Sequence, residues 1–144
     1  MDSKIEAFAE TLYLATHAWR NELDRRLRPM GLSRSKWMLL IALSRGGQGK
    51  SQKALADRLG IEGPSLVGLL DRLQRDGLVE RRAAPGDRRM NAVHLSRKSR
   101  ALIGEIRKIA AWLRAELFVG IDASDLDTAM RVLAKIKAKA EALP

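Results

Sequence analysis

The chain has 144 residues, of which 27 are Lys or Arg, 17 are Asp or Glu and none is Cys, so its formal net charge is +10. This length corresponds to one domain of ordinary size, and the lack of Cys excludes disulfides, Cys-based zinc sites and thiol switches. The longest apolar run, 37–43, is too short for a membrane span and the N-terminus does not resemble a secretory signal, so we expect a soluble cytoplasmic protein.

Residues 3–28 have the pattern of one long helix that ends at Pro29 and Gly31. At 1.5 Å per residue, such a helix is about 39 Å long, as long as a small domain is wide. Its apolar residues recur at the spacing of a coiled-coil seam: Ile5, Phe8, Leu12, Ala15, Trp19, Leu23 and Leu27. A stripe of that length needs a surface beyond the chain's own core, and we therefore predict a partner subunit.

The segment 33–77 has the spacing of a helix-turn-helix. Ser33 begins an apolar helix, Ser51 caps a short helix over 52–59, and Pro64 stands in the first turn of a helix over 64–76. A four-residue, glycine-containing turn separates the last two helices, as in helix-turn-helix motifs. The last helix has its core face at Leu66, Leu69, Leu70 and Leu73, and its other face presents Ser65, Gly68, Arg72 and Arg75.

A change of periodicity after Gly77 predicts a β-hairpin. Residues 78–82 and 91–95 are short strand-like runs, and 85–89 (Pro-Gly-Asp-Arg-Arg) is a turn by composition. A hairpin with a basic tip, directly after a helix-turn-helix, is typical of a wing. The segment 72–100 carries nine Arg or Lys and three acidic residues, which favours an acidic partner such as DNA, RNA or an anionic membrane.

Two more helices are predicted after the wing. One runs from Ser96 to about residue 119, and the other begins at Asp122. The predicted fold class is therefore mainly α with a small β-hairpin wing, a winged helix-turn-helix with long N- and C-terminal helices.

Three stretches of the sequence resemble one family. They are 59–67 (Leu-Gly-Ile-Glu-Gly-Pro-Ser-Leu-Val), 70–73 together with 76–79, and the pattern of Asp87 and Arg89 followed by Leu95 and Ser96. The chain resembles, over nearly its whole length, the MarR family of bacterial transcriptional regulators, nearest the SlyA-type branch. The resemblance implies a single domain in which 1–32 and 97–144 form the dimerisation region and 33–96 the DNA-binding lobe. It also implies a cytoplasmic, nucleoid-associated homodimer, acting as a repressor or activator on a pseudo-palindrome.

The predicted contacts with double-stranded DNA come from three places. Small residues at the start of the helix over 64–76 allow close approach to base edges, and the helix over 52–59 presents its N-terminal amides to phosphate. By resemblance, one wing arginine enters the minor groove and the second is structural, paired with Asp71 or Asp87. The predicted DNA-binding residues are Ser51, Gln52, Lys53, Pro64, Ser65, Gly68, Arg72, Arg75, Arg88 and Arg89, with Arg88 at the tip.

Two of these residues, Ser65 and Arg72, have an alternative role, and a third, Gly68, departs from the family pattern. The alternative for Ser65 is a capping or packing role. The alternative for Arg72 is a surface ion pair with Asp76. SlyA-like proteins often have an arginine where this chain has Gly68, so its preferred DNA sequence is expected to differ.

Members of the family commonly bind small phenolic or carboxylate ligands between the dimerisation helices and the DNA lobe. The candidate ligand-binding residues are Tyr13, His17, Arg20 and Trp37, which offer an apolar wall and one cation for such a ligand or an acyl thioester. The alternative is that Trp19 and Trp37 are core residues and Arg20 forms a salt bridge between subunits. No cofactor or metal is expected, since the chain has only two His and no Cys.

Other functional classes fit less well. No catalytic spacing is recognisable, and 46–51 (Gly-Gly-Gln-Gly-Lys-Ser) lacks the glycine separation of a phosphate-binding loop, so no enzyme is predicted. The alternative function is a ligand-independent architectural or antisilencing DNA-binding protein. A membrane-surface protein gives the hairpin no role, and no membrane partner is expected.

Overall fold

The structure is a computed structural model that describes residues 1–47, 49, 51–84 and 86–144, except for the side chains at 84 and 87–91. Its elements, in chain order, are α1 (Asp2–Leu27), α2 (Arg34–Ala42), α3 (Gln52–Leu59), α4 (Gly63–Arg75), β1 (Val79–Ala84), β2 (Asp87–Leu95), α5 (Arg97–Leu117) and α6 (Ala123–Glu141). The two strands form one antiparallel sheet. The predicted fold class, mainly helical with a small β-hairpin, is confirmed.

The chain forms two compact units, Met1–Ala111 and Trp112–Pro144. The first contains α1 to α4, the hairpin and most of α5. The second contains the end of α5 and all of α6, a fully described helix in which every residue is exposed. The apolar residues of α6 are 37% to 61% exposed, namely Leu126, Met130, Leu133 and Ile136.

The N-terminal helix divides into a buried end and an uncovered stripe. Leu23 and Leu27 are buried in the core of the first unit. The earlier large members of the predicted seam are 36% to 60% exposed: Ile5, Phe8, Leu12 and Trp19. A 3₁₀ turn over Arg28–Met30 follows the helix, and Gly31 reverses the chain with a φ of +74°, as the Pro29 and Gly31 signals predict.

The next two helices begin at the predicted serine caps. The Ser33 hydroxyl accepts a hydrogen bond from the Lys36 amide, and the Ser51 hydroxyl accepts one from the Ala54 amide. α2 continues into a distorted π-helical turn over Leu43–Gly47, and α3 ends at Gly60. Both helices contact α4, and Leu39 and Leu40 of α2, Leu43 of the π-helical turn and Leu55 of α3 are buried.

The predicted core face of α4 is confirmed, since Leu66, Leu69, Leu70 and Leu73 are all buried. The chain then enters the hairpin through a backbone hydrogen bond from the Leu78 amide to the Leu73 carbonyl. At the base of the hairpin, the Ser96 hydroxyl donates to the Gly77 carbonyl. These contacts orient the hairpin and the start of α5 relative to α4.

The hairpin has longer strands and a tighter turn than the sequence predicts. Pairing runs from Val79 opposite Leu95 to Ala83 opposite Asn91, and after a register shift Ala84 pairs with Asp87. Gly86 has a φ of +82°, a backbone conformation typical of the shortest hairpin loops. The prediction of a turn over 85–89 was therefore wrong in its extent, because 87–89 belong to β2.

Candidate nucleic-acid interface

The start of α4 presents small residues to solvent. Pro64 and Ser65 are exposed and Gly68 is half-buried, because the four core leucines turn the opposite side of the helix inward. Glu62, and not Ser65, occupies the N-cap position. The capping alternative for Ser65 is therefore wrong, and the Ser65 side chain borders a cavity that Arg34, Ile61 and Arg72 also line.

Arg72 lies beside Gly68 on the same helix. A Cβ atom at position 68 would lie 3.8 Å from the Arg72 guanidinium nitrogen Nη1, so the glycine leaves the surface next to this arginine open. The Asp76 carboxylate, the predicted alternative partner of Arg72, lies 3.3 Å from Lys36 Nζ instead. Arg75 is exposed, and its Nε donates to the Asp71 carbonyl at 3.4 Å.

The first turn of α3 faces the first turn of α4 across an open groove of about 470 Å³. Gln52 and Lys53 line this groove together with Val67, and so do the carboxylate residues Asp57 and Glu62. Ser51, just before α3, bridges to Ala92 of β2. The start of α3 is thus held between the wing and α4, and the charged side chains that line the groove are one cation, Lys53, and two carboxylates, Asp57 and Glu62.

Arg81 ties the wing to α4, a function that sequence reasoning missed. From the first half of β1, its Nη1 donates to Asp71 Oδ1 at 2.7 Å and to Gln74 Oε1 at 3.1 Å, and its Nη2 donates to the Val67 carbonyl at 3.1 Å. Its side chain is 19% exposed, and its Nε is buried with no hydrogen-bond partner in the described part of the chain. The sequence did carry a signal for this contact. Side chains alternate between the two faces of a strand, so Arg81 lies on the same face of β1 as the apolar Val79 and is directed toward the protein.

Asp71 thus has a partner that the sequence did not indicate, Arg81 of β1. The predicted pairing of a tip arginine with Asp71 or Asp87 depends on side chains outside the described residues. An arginine at position 81 reaches Asp71 from the rigid base of the hairpin, where pairing with β2 is regular. The backbone of Arg88 and Arg89 lies in β2, whereas their side chains lie outside the described residues, so the predicted division of roles between them stays a prediction.

Arg81→Met removes all three of these hydrogen bonds and frees the Asp71 carboxylate. We expect a loss of about 1–2 kcal/mol in the free energy of unfolding, since bonds to charged groups are the stronger ones but Asp71 is half-exposed. Chemical denaturation measures this loss. Arg82→Met is the matched control, because Arg82 pairs with Glu80 on the exposed side of the same strand. Equal losses in the two variants would contradict a specific anchoring role for Arg81.

The four candidate ligand-binding residues do not lie in one environment. Tyr13 and His17 stack on the exposed face of α1, with ring centroids 6.0 Å apart and planes 10° apart, and Arg20 is exposed one turn further on. Trp37 is buried, and its indole nitrogen donates to Asp24 Oδ1 at 2.7 Å. Trp37 is thus a core residue, as the alternative expected, whereas Trp19, which that alternative also placed in the core, is 36% exposed.

Two further properties bear on the class of the protein. Within residues 1–47, 49, 51–84 and 86–144, and leaving aside the side chains at 84 and 87–91, no group of three His, Asp or Glu side chains is placed to hold a metal ion. No helix in that part of the chain is both long enough and apolar enough to cross a membrane.

Comparison with known proteins decides the family. The sequence model of the MarR family matches residues 30–90, which include α2, the helix-turn-helix and the start of β2. The chain is also similar to the crystal structure of the transcriptional regulator PA3341, with 42% identity and a TM-score of 0.85 over 93% of this chain and 98% of that one. This chain belongs to the MarR family.

Two structures of another regulator share the MarR fold seen here. The transcriptional repressor CouR bound to a 23-mer DNA duplex has 27% identity and a TM-score of 0.77 over 88% of this chain and 89% of that one. CouR from Rhodococcus jostii RHA1 bound to p-coumaroyl-CoA has 23% identity and a TM-score of 0.77, over 90% of each chain. The helix-turn-helix and hairpin described above are therefore the DNA-binding winged helix of a MarR-family transcriptional regulator.

Proposed function

We propose that this chain is a sequence-specific regulator of transcription that binds double-stranded DNA as a homodimer. The observation that carries the proposal is the exposed, small-residue start of α4, set on a lobe whose wing is anchored to the same helix by Arg81. A helix with this surface can enter the major groove closely. The net charge of +10 supplies the attraction to the phosphate backbone.

In this complex, Pro64 and Ser65 approach base edges, and Gly68 leaves room for the backbone of α4 to sit deep in the groove. The cations on the rest of the lobe contact phosphates and set the register. The cationic contacts come from Arg72, Arg75 and Lys53, the neutral side chain of Gln52 adds a further contact, and Ser51 holds the start of α3. By family resemblance, Arg88 enters the minor groove, where an A·T-rich tract attracts arginine, and Arg89 supports the wing.

The regions 1–32 and 97–144 form the dimerisation region in this proposal, and 33–96 form the DNA-binding lobe. Support comes from the uncovered apolar stripe of α1 and from the apolar residues of α6. Each of these side chains is more than one-third exposed: Ile5, Phe8, Leu12, Trp19, Leu126, Met130, Leu133 and Ile136. A second copy of the chain buries them. Two-fold symmetry then gives a pseudo-palindromic site with half-sites about one helical turn, roughly 34–36 Å, apart. As a DNA-bound bacterial regulator, the dimer is expected in the cytoplasm on the nucleoid.

Regulation by a small ligand is part of the proposal, as is a position nearest the SlyA-type branch of the family. A phenolic or carboxylate compound, or an acyl thioester, would bind near Tyr13, His17 and Arg20, whereas Trp37, the fourth candidate, is a buried core residue. Arg20 supplies the cation, and the exposed Tyr13 and His17 rings supply the aromatic surface. A bound anion releases DNA by favouring lobe separations that mismatch the site. DNA affinity that is unchanged by a panel of aromatic acids and acyl thioesters would contradict this part.

A ligand-independent architectural or antisilencing role is the second candidate. The strong positive charge and the absence of a long side chain at Gly68 favour it, because both permit binding without base readout. The ratio of affinities for a selected duplex and for random-sequence DNA separates the two functions. A sequence-specific regulator is expected to show a ratio of about 10³ or more, whereas an architectural protein approaches unity.

Salt dependence measures the phosphate contacts. If the dimer neutralises about eight phosphates, log affinity falls against log salt concentration with a slope near −7. We expect Arg72→Ala, which removes one contact from each subunit, to reduce the magnitude of that slope by about 2 and to weaken binding to all sequences similarly. Lys4→Ala, which removes the same charge at the start of α1, is the control. A slope that Arg72→Ala leaves unchanged would exclude Arg72 from the phosphate contacts.

A further inference from the structure

A polar cluster joins the end of α1 to the start of α2. The Asp24 carboxylate accepts hydrogen bonds from Trp37 Nε1 at 2.7 Å and from Arg34 Nε at 2.7 Å, and Arg34 Nη2 lies 2.6 Å from the same carboxylate. Arg34 Nη2 also donates to Asn21 Oδ1 at 2.7 Å. We call these four residues, Asn21, Asp24, Arg34 and Trp37, the Asp24 cluster.

The Asp24 cluster differs from a surface ion pair in burial and in the elements that it joins. The Asp24 side chain is 21% exposed and that of Arg34 is 35% exposed, while Trp37 is buried. Arg34 Nε and Nη2 both contact Asp24 Oδ2, and Trp37 Nε1 donates to Oδ1, so both carboxylate oxygens have a partner on α2. Exposed pairs such as Glu22 with Arg25, where the hydrogen bonds from Arg25 and Arg26 lower the pKa of Glu22 to about 2, lie within one helix and constrain no second element.

The position of the Asp24 cluster means that it controls the direction of α1 relative to the DNA-binding lobe. Only residues 28–33 separate the two helices, and α2 is the first helix of the DNA-binding lobe, so the cluster fixes the direction in which α1 leaves that lobe. Asp24 lies 19 residues, roughly 28 Å of helix, from Ile5 at the far end of the exposed stripe. A change of about 5° in the direction of α1 therefore moves that end by about 2.5 Å relative to the lobe.

Arg34 extends the cluster toward the DNA-binding face. Besides its contacts with Asp24 and Asn21, Arg34 lines a cavity of about 310 Å³ between α2 and α4, together with Ser65 and Arg72. One side chain thus borders both the helix with the dimerisation stripe and the helix proposed to read DNA. Arg34 therefore links the end of α1 to the cavity beside α4.

We propose that Asp24 is a positioning residue that sets the distance between the two DNA-binding lobes, and hence the half-site spacing that the dimer accepts. This inference rests on the proposed homodimeric function. With the cluster intact, α1 leaves each lobe in one direction, and the dimer discriminates against duplexes whose half-sites are one base pair closer or further apart. With the cluster broken, α1 takes a range of directions, and several spacings become acceptable.

The test compares Asp24→Asn and Trp37→Phe with the control Glu22→Gln, which breaks the pairs of Glu22 with Arg25 and Arg26 inside α1. The probes are a duplex selected by the wild-type protein from random-sequence DNA, two versions with one base pair inserted or deleted between the half-sites, and a single half-site. We expect Asp24→Asn to weaken binding to the selected duplex about 5- to 10-fold and to leave binding to the respaced duplexes and the half-site within about 2-fold. Trp37→Phe keeps the Asp24 carboxylate and an aromatic ring. We expect it to reduce the discrimination between the selected and respaced duplexes less than Asp24→Asn does.

Discrimination by Asp24→Asn equal to that of the wild type, with both proteins dimeric, would overturn the proposal. The proposal would also be overturned if Glu22→Gln reduced the discrimination between half-site spacings as much as Asp24→Asn does. A uniform loss of affinity for all four duplexes would also overturn it, since that result shows a merely structural role. If Asp24→Asn does not fold, Trp37→Phe provides the same comparison. Failure of the proposed function itself is visible separately, because the wild-type protein would then select no discrete duplex.

Discussion

Leu12→Glu is expected to convert the protein to a monomer and to weaken its binding to a pseudo-palindromic duplex by about 10²- to 10⁴-fold. Leu12 lies in the middle of the α1 stripe and is 39% exposed in the single chain. In a homodimer it becomes buried, and a carboxylate there pays the full desolvation penalty without a partner. The loss of affinity is large because the second lobe of a dimer binds at a high effective concentration that a monomer lacks.

The expected monomer keeps its fold, since Leu12 is partly exposed and α1 is anchored at its other end by Leu23 and Leu27. Sedimentation equilibrium measures the mass, and a titration with the selected duplex measures the affinity. Leu14→Glu is the matched control, because Leu14 is 54% exposed and lies off the stripe. A dimeric Leu12→Glu protein with wild-type affinity would exclude α1 from the dimer interface.

Leu70→Ala is expected to lower the free energy of unfolding by about 2–5 kcal/mol. Leu70 is fully buried on the core face of α4, and α4 contacts α2, α3 and β1, so the cavity left by the substitution lies in the core of the lobe. Single domains are stable by only about 5–15 kcal/mol, and the variant is therefore expected to lose DNA binding at temperatures that the wild-type protein tolerates.

Urea denaturation followed by far-UV circular dichroism measures the effect of Leu70→Ala. Val67→Ala is the control on the same helix, since Val67 is 42% exposed and its truncation is expected to change stability by less than about 0.5 kcal/mol. A loss below 1 kcal/mol in Leu70→Ala would show that α4 is held by contacts other than its leucine face.

The elements that could be predicted from the sequence are those whose pattern is local. The spacing of Leu66, Leu69, Leu70 and Leu73 defines the buried face of α4 by itself, and the small residues on its other face follow from the same periodicity. Ser33 and Ser51 act as caps through hydrogen bonds to amides three residues later, which a sequence displays directly. The exposed stripe of α1 follows likewise from its spacing.

The contacts that could not be predicted join residues far apart in sequence. Arg81 and Asp71, and Trp37 and Asp24, are separated by 10 and 13 residues and lie on different elements. Their pairing depends on how those elements pack. Several arginines near the wing are close enough in sequence to reach Asp71, and the register of the hairpin brings Arg81 to it. The extent of the turn was missed for the same reason, because composition marks Pro-Gly-Asp-Arg-Arg as a turn while strand pairing takes in Asp87.

The most direct test of a sequence-specific dimeric regulator is a footprint of the purified protein on the DNA that flanks its own gene, across a series of salt concentrations. We expect a discrete protected pseudo-palindrome with two half-sites about one helical turn apart. Its position should be independent of salt, while its occupancy falls steeply as salt rises. Diffuse, salt-sensitive protection, there and on DNA selected from random sequence, would contradict sequence-specific binding and would favour the architectural function.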